Sequence, residues 1–375
     1  MKPIIPILLN LSLLAYFELS TLGGVSGGPF WIGTATLAVI FAVIFWLFFS
    51  FFMNDDTNET PFEKAVLRFA FLSMGLVSFL FTFTLLRDAV ALLNLAFFKK
   101  PIPMYGTTAA LSIVGASLAC LFFGKLNARF VLKTPSVSVP IPQLPAALQG
   151  FKIVQLSDIH LGTGPKLNQV RKMVDQALAL SPDLLVLTGD VIDGDVRMMQ
   201  AELQELARLK APMGTYYVLG NHEYYWNRED AIRAIREIGM TPLINDGLSL
   251  EHNGASIWIA GMDDPTATAF QLPAPFIPEA PAQSSVRILL SHQPYILKAL
   301  AKTNYHLQLS GHTHNGQFFP WNHVVKKMYP IAQGLGRFAD LWVYVSAGTG
   351  YWGPPIRLGT SAEIAQLILT NSPSA

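Results

Sequence analysis

The stretch 151–160, FKIVQLSDIH, decides how the chain is read: a short apolar run ends abruptly in Asp158 and His160. A run of that length, closed by a polar outlier, has the character of a buried strand. The same construction returns down the chain. DLLVLT leads into Gly189-Asp190, TYYVL into Gly220-Asn221-His222-Glu223, VRILLS into His292, and HLQLS into Gly311-His312-Thr313-His314. Buried strands are predicted at 152–157, 184–188, 215–219, 256–261, 286–291, 306–310 and 342–346, and helices at 167–180, 196–209 and 229–238. Strand–helix alternation followed by mostly strands points to an α/β fold with layers around a mixed sheet. A ligand group at the carboxyl end of a strand is rigidly held yet projects from the sheet, which is where open α/β sheets bind things.

The polar outliers form a set with a definite chemistry. They offer carboxylate, carboxamide and imidazole donors and no thiolate, a mix suited to Mn, Fe, Zn or Co rather than to Ca or Cu(I). There are too many for one tetrahedral zinc and enough for two ions sharing a bridging carboxylate. Two ions roughly 3.5–4 Å apart can hold a hydroxide together with the displaced oxygens of an in-line phosphoryl transfer. A glycine precedes Asp190, Asn221 and His312, which lets the chain bend sharply there.

The ordered blocks DxH, GD, GNHE, H and GHTH resemble the calcineurin-like metallophosphoesterase superfamily, over a region from about Val137 to the C-terminus. Within it, SDIHLG, TGDVIDG, SGHTHNGQ and SAGTGYWGPPIRLG look like the branch that often carries N-terminal membrane segments. The resemblance implies a four-layer α/β/β/α sandwich and two divalent metal ions, with Mn preferred. It implies that Asp158, His160 and His314 hold one ion, that Asn221, His292 and His312 hold the other, and that Asp190 bridges them. His222 would bind no metal and would protonate the leaving oxygen, a task that suits a histidine pKa. The nucleophile would be a metal-bridging hydroxide, with no covalent phosphoenzyme. That branch usually has glycine where this chain has Asn315.

Several polar residues outside those blocks have bland readings. Glu223 is expected to orient a loop, Asp193 and Asp264 to lie in solvated turns, His306 to adjoin the core, and His252 and His323 to be on the surface. Arg357 is a candidate substrate-phosphate contact, because guanidinium grips two phosphate oxygens; a surface salt bridge is the alternative. Phe318, Phe319, Trp321, Tyr351 and Trp352 read either as an apolar rim or as core. The Pro/Ala-rich run 265–283 reads as a lid or as a long insertion.

The first third of the chain is different. About half of all residues are apolar, only 14% are charged against roughly 25% in soluble domains, and the apolar excess lies before residue 124. Four apolar stretches, about 4–22, 30–53, 69–86 and 105–123, are each near the ~20 residues that cross a bilayer as helix. They predict a transmembrane helical domain at 1–133 ahead of a catalytic domain at 134–375; for the first stretch, a cleaved signal peptide is the alternative. After the third stretch, Arg87-Asp88 marks either an exit from the bilayer or the middle of one long helix. With four spans, Lys2, Lys64, Arg68, Lys125, Arg129 and Lys133 share a side and face Lys99 and Lys100 across the bilayer, so the catalytic half is expected to be cytoplasmic.

A net charge of +1 gives no basic footprint, so nucleic acid is not an expected partner. The expected partners are the lipid bilayer and a phosphoester substrate, with a lipid-linked one such as a nucleotide-activated diacylated sugar preferred within the branch. Soluble nucleotides or phosphoproteins remain an alternative substrate, and a non-catalytic membrane sensor or scaffold an alternative role.

Overall fold

Alternate side chains of a strand point to opposite faces, and here both faces of the central strands are buried. In Leu184–Thr188, Leu184 and Val186 enter one apolar core while Leu185 and Leu187 enter another. Thr215–Val218 divides Tyr216 and Val218 from Tyr217 in the same way. Two-sided burial is why these runs are continuously apolar instead of alternating. The computed structural model describes residues 61–99, 106–294, 297–300 and 302–371.

Two six-stranded sheets result. The first runs Ser136–Pro140, Ala365–Thr370, Lys152–Leu156, Leu184–Thr188, Thr215–Val218, Thr241–Pro242. The second runs Gly334–Phe338, Leu341–Val345, Leu307–Ser310, Val286–Leu290, Ala255–Gly261, Asp246–His252. Within each, the strands that precede the polar blocks pair in parallel, so their carboxyl ends share an edge. Ile153, Val186 and Val218 of the first sheet share a core with Ile257, Ile288 and Leu309 of the second. The outer face of the first packs on Leu167–Ala179, Gln200–Leu206 and Arg228–Glu237 through Val170, Val174, Leu203 and Ile235.

The predicted strands and helices match these elements to within a few residues, with informative exceptions. The expected helix 196–209 is split into a 3-10 turn, Val196–Met198, which Asp195 caps by accepting from the Arg197 N–H, and the helix Gln200–Leu206. The break falls at Met199, whose φ of -122° and ψ of 25° are not helical. The fourth, helical layer is thin. Leu289, Val343 and Val345 on the outer face of the second sheet pack against Ala280, Leu300 and Tyr305, and the helix there is the single turn Leu297–Leu300. The neighbouring segment carries Pro265, Pro273, Pro275, Pro278 and Pro281, which removes amide donors and forbids a continuous helix. The segment 134–150, which carries Pro135, Pro140, Pro142 and Pro145, contributes the edge strand Ser136–Pro140, a place where proline is tolerated.

The chain divides into two compact units, Met1–Leu126 with Pro354–Ile356 and Asn127–Gly353 with Arg357–Ala375. In the first, Arg68–Phe98 and Thr107–Phe130 are long and apolar enough to cross a membrane. Two candidate spans are thus seen among the described residues; the expected spans at 4–22 and 30–53 lie outside them. Leu80 and Ile113 pack together with Leu76, Phe83 and Val114. Pro61–Phe98 runs through Arg87-Asp88 as one continuous helix, with Arg87 paired to Asp88 at 2.7 Å so that the charges neutralise each other.

His306 links the fold to pH. Burial first, and then the Arg287 guanidinium 2.6 Å from its Nε2, push its pKa from 6.5 to about 4. Below 6.5 the unfolded chain therefore takes up a proton before the native state does, and stability falls as pH drops toward 4. The stability advantage of the wild type over His306→Gln, read from denaturant unfolding, is expected to shrink between pH 7 and pH 4; a constant difference would contradict this.

Candidate metal centre

Each polar block begins where its strand stops, and the backbone there is unusual. Asp158, Asp190, His160, His312, His314 and Asn315 all have positive φ, between 47° and 69°. Such conformations cost energy for residues with a Cβ and persist when surrounding bonds over-determine them. Those bonds are present. The amides of Asp158 and His160 donate to the carbonyls of Gly189 and Asp190, and Gly311 N–H donates to His292 O. His312 N–H reaches both oxygens of Asp158 at 3.0 and 3.1 Å, and His222 N–H reaches Asp190 Oδ1 at 2.9 Å. Of the three glycines expected to bend the chain, only Gly189 has positive φ; Gly220 and Gly311 serve close approach instead, since a Cβ would fall 2.2 Å from Asp190 Oδ1 and 1.9 Å from Ser157 Oγ. Asn315 occupies the left-handed region at φ 50°, which glycine and asparagine share more readily than other residues do.

The fold brings the seven expected ligand residues together. Asp158, His160 and His314 present ligand atoms within 4.8 Å of one another, as do Asp190, His292 and His312. Hydrogen-bond partners assign the tautomers. His292 Nδ1 lies 2.8 Å from Thr188 O and donates to it, which turns Nε2 toward Asp190 Oδ2, 3.1 Å away. His160 Nδ1 donates to Asp193 at 3.1 Å, which leaves a lone pair on Nε2 facing His314 Nε2 at 3.2 Å. His312 Nδ1 and Asn221 Oδ1 are 3.0 Å apart. His292 Nε2 and His314 Nδ1 are buried with no hydrogen-bond partner, beside the carboxylates of Asp190 and Asp158. Such orphaned nitrogens next to buried carboxylates are what a metal ion would satisfy. The donor set therefore fits divalent ions.

Two residues expected to be bland prove central to the site. Asp193 is no solvated turn: it is 3% exposed and accepts from His160 Nδ1, His222 Nδ1, Thr163 Oγ1 and Trp226 Nε1. Its signal was the spacing in GDVID, three residues after Asp190, which returns a side chain to the same edge. Burial alone lowers an imidazole pKa, but the carboxylates of Asp193 and Asp190 outweigh it and hold His222 at about 9, protonated at neutral pH. Glu223 does orient loops, and strongly: its carboxylate accepts from the amides of Asp190, Val191, Ile192 and Gly220. Asp264 corrects its reading too. It is buried, and both its oxygens accept from Gln293 Nε2.

Arg357 corrects both of its readings. It is fully buried and donates to the carbonyls of Ser361, Gly348 and Gly350, leaving no open face for a phosphate or a surface partner. Its role is to brace the loop whose Thr349 and Gly350 amides bond the carbonyls of Ser157 and Asp158. Of the aromatics, Phe318 is core, whereas Tyr351 and Trp352 are half-buried.

The sequence profile of the calcineurin-like phosphoesterases matches residues 151–316. An uncharacterised metallophosphoesterase of Campylobacter jejuni is 34% identical over 264 residues, 69% of this chain and 69% of its own length. This chain belongs to the calcineurin-like metallophosphoesterases. Members of this family are metal-dependent phosphoester hydrolases with dinuclear centres. A metallophosphoesterase of Aquifex aeolicus is 31% identical over 242 residues, 63% of this chain and 90% of its own. A Bos taurus protein named "Transmembrane protein with metallophosphoesterase domain" is 36% identical over 265 residues, 67% of this chain and 60% of its own. The chain thus spans about three-fifths of the relatives that carry that name.

Asp193→Asn is expected to lower turnover by about 10–100-fold, because His160 and His222 both lose their anchor. Steady-state kinetics on folded variant protein checks this, and unchanged turnover would remove Asp193 from the site.

Proposed function

We propose that this protein is a membrane-anchored, dinuclear metal-dependent phosphoesterase that hydrolyses a phosphoester or pyrophosphate bond. One observation carries the reading: Asp190 Oδ2 lies 3.1 Å from His292 Nε2, 3.9 Å from His160 Nε2 and 4.0 Å from His222 Nε2, common to both ligand groups and to the acid. Asp158, His160 and His314 would hold one ion in this reading and Asn221, His292 and His312 the other, with Asp190 placed to serve both; Mn is the preferred metal. When bound, two divalent ions activate water and neutralise charge gathering on the phosphate oxygens. A water oxygen bonds to phosphorus as the bond from phosphorus to the departing oxygen breaks. His222 gives its proton to that oxygen, and Asp193 keeps the imidazole oriented and charged for it.

The apolar helices support membrane anchoring, and with it a lipid-linked substrate, a nucleotide-activated diacylated sugar being preferred. The Lys and Arg distribution supports a multi-pass protein with a cytoplasmic catalytic unit.

Purified protein loaded with Mn is expected to hydrolyse bis(4-nitrophenyl) phosphate and to lose that activity to a chelator; inertness while metal-loaded would sink the catalytic reading. Asp190→Ala should empty both metal sites by elemental analysis. His222→Ala should keep its metals and lose turnover by about 10²–10⁴-fold, so retained turnover would end the acid role.

A reporter fused to the C-terminus is expected to signal from the cytoplasm in intact cells. A reporter active only outside would reverse the sidedness.

A further inference from the structure

The surroundings of His222 speak to what departs from it. Its imidazole lies edge-on between two aromatic rings, Tyr225 with centroids 5.2 Å apart and Trp352 at 5.5 Å. Phe270 continues the file beyond Tyr225 at 6.5 Å. Trp226 stands beside it, its indole N–H bonded to the same Asp193 oxygen that holds His222. Tyr225, Phe270 and Trp226 are 56%, 48% and 39% exposed. Single exposed aromatics are ordinary on a protein surface, but a file of them adjoining a buried catalytic histidine has the composition of a ligand seat.

The seat is also built rigidly. Tyr225 and Trp226 share the helix Asn221–Trp226 with the candidate ligand and the acid, so their rings are fixed relative to both. Trp352 is clamped by Gln317, whose Oε1 accepts from Trp352 N–H and whose Nε2 donates to Trp352 O, each at 2.9 Å. The Nδ1 of His222 is taken by Asp193 at 2.9 Å, and Nε2 lies 4.0 Å from Asp190 Oδ2, on the side of the candidate ligands.

We propose that Tyr225, Trp352 and Phe270 form a subsite for an apolar leaving group. The inference rests on His222 serving as the acid: the oxygen it protonates leaves on its side, so whatever that oxygen carries comes to lie against these rings. Apolar bodies pack on exposed ring faces with release of water and gain from stacking. A ring such as a nucleobase and an alkyl chain such as a lipid's share this chemistry, and the experiment tells them apart.

Three methyl phosphodiesters are compared on the Mn-loaded full chain, with 2-naphthylmethyl, decyl or 2-methoxyethyl as departing group, the released alcohol being measured. At least one apolar ester should exceed the methoxyethyl ester in kcat/KM by about tenfold or more, the span of a well-filled apolar pocket. Preference for naphthylmethyl names a ring-bearing group, and preference for decyl names a chain. Tyr225→Ala and Trp352→Ala should bring the ratio toward one, while Tyr225→Phe and Trp352→Phe, which keep a ring, should preserve it. Equal rates for all three esters, or a preference that survives both alanine variants, would overturn the subsite. Binding of the matching naphthylmethyl and methoxyethyl phosphonates, followed by tryptophan fluorescence, reads the same ratio without turnover. If metal-loaded protein hydrolyses nothing yet still selects the naphthylmethyl phosphonate, the catalytic reading falls and the subsite stands. Equal affinities together with normal but unselective turnover remove the subsite and leave the catalytic reading intact.

Discussion

Carboxylate oxygens and imidazole nitrogens crowd together where the two sheets end, with Asp190 Oδ2 3.1 Å from His292 Nε2 and His160 Nε2 3.2 Å from His314 Nε2. Unit charges 4 Å apart interact by about 4 kcal/mol at an effective dielectric of 20, so carboxylates buried this close together call for positive charge beside them. The backbone around them is committed to that crowding. Its left-handed residues, its close-approach glycines and the four amides gathered by Glu223 fix the loops before any ion is considered. A site pre-organised in this way loses little on binding to reorganisation of its own side chains.

Asp193 extends the same logic from metal to proton. One carboxylate orients His160, a candidate ligand, and His222, the candidate acid, so the two functions share an anchor. The charge that raises the His222 pKa to about 9 is also the charge that holds its ring in place. Trp226 reaches Asp193 from the rim. Rim, acid and ligand thus form one hydrogen-bonded body, and this is what gives the aromatic file a fixed relation to the chemistry.

The two-sheet core explains why so small a set of residues can be placed so closely. Strands buried on both faces, such as Leu184–Thr188 and Val286–Leu290, leave no freedom of register, since a slip of one residue would exchange the two cores. Rigid strand ends then deliver side chains from both sheets to one edge.

Much was legible in the sequence because the governing rules are local. Continuous apolar runs declared most of the central strands, though the interior strand Ala365–Thr370 was not among those predicted. Helices were read at 167–180 and 229–238, and the ordered DxH, GD, GNHE, H and GHTH blocks named the seven candidate ligands and His222. The edge strands Asp246–His252 and Gly334–Phe338 escaped notice because their half-exposed residues leave no apolar run. What the sequence could not decide was where an isolated polar residue would point. Asp193, Asp264 and Arg357 look like ordinary turn or surface residues along the chain. Each is buried only because segments distant in sequence close over it: Asp193 beneath His160 and His222, Asp264 against Gln293, Arg357 among the carbonyls of Gly348 and Gly350. Local pattern reports the polarity of a residue and the strand it follows. The partners that satisfy its hydrogen bonds, and hence its role, are set by long-range packing, which only the tertiary structure supplies.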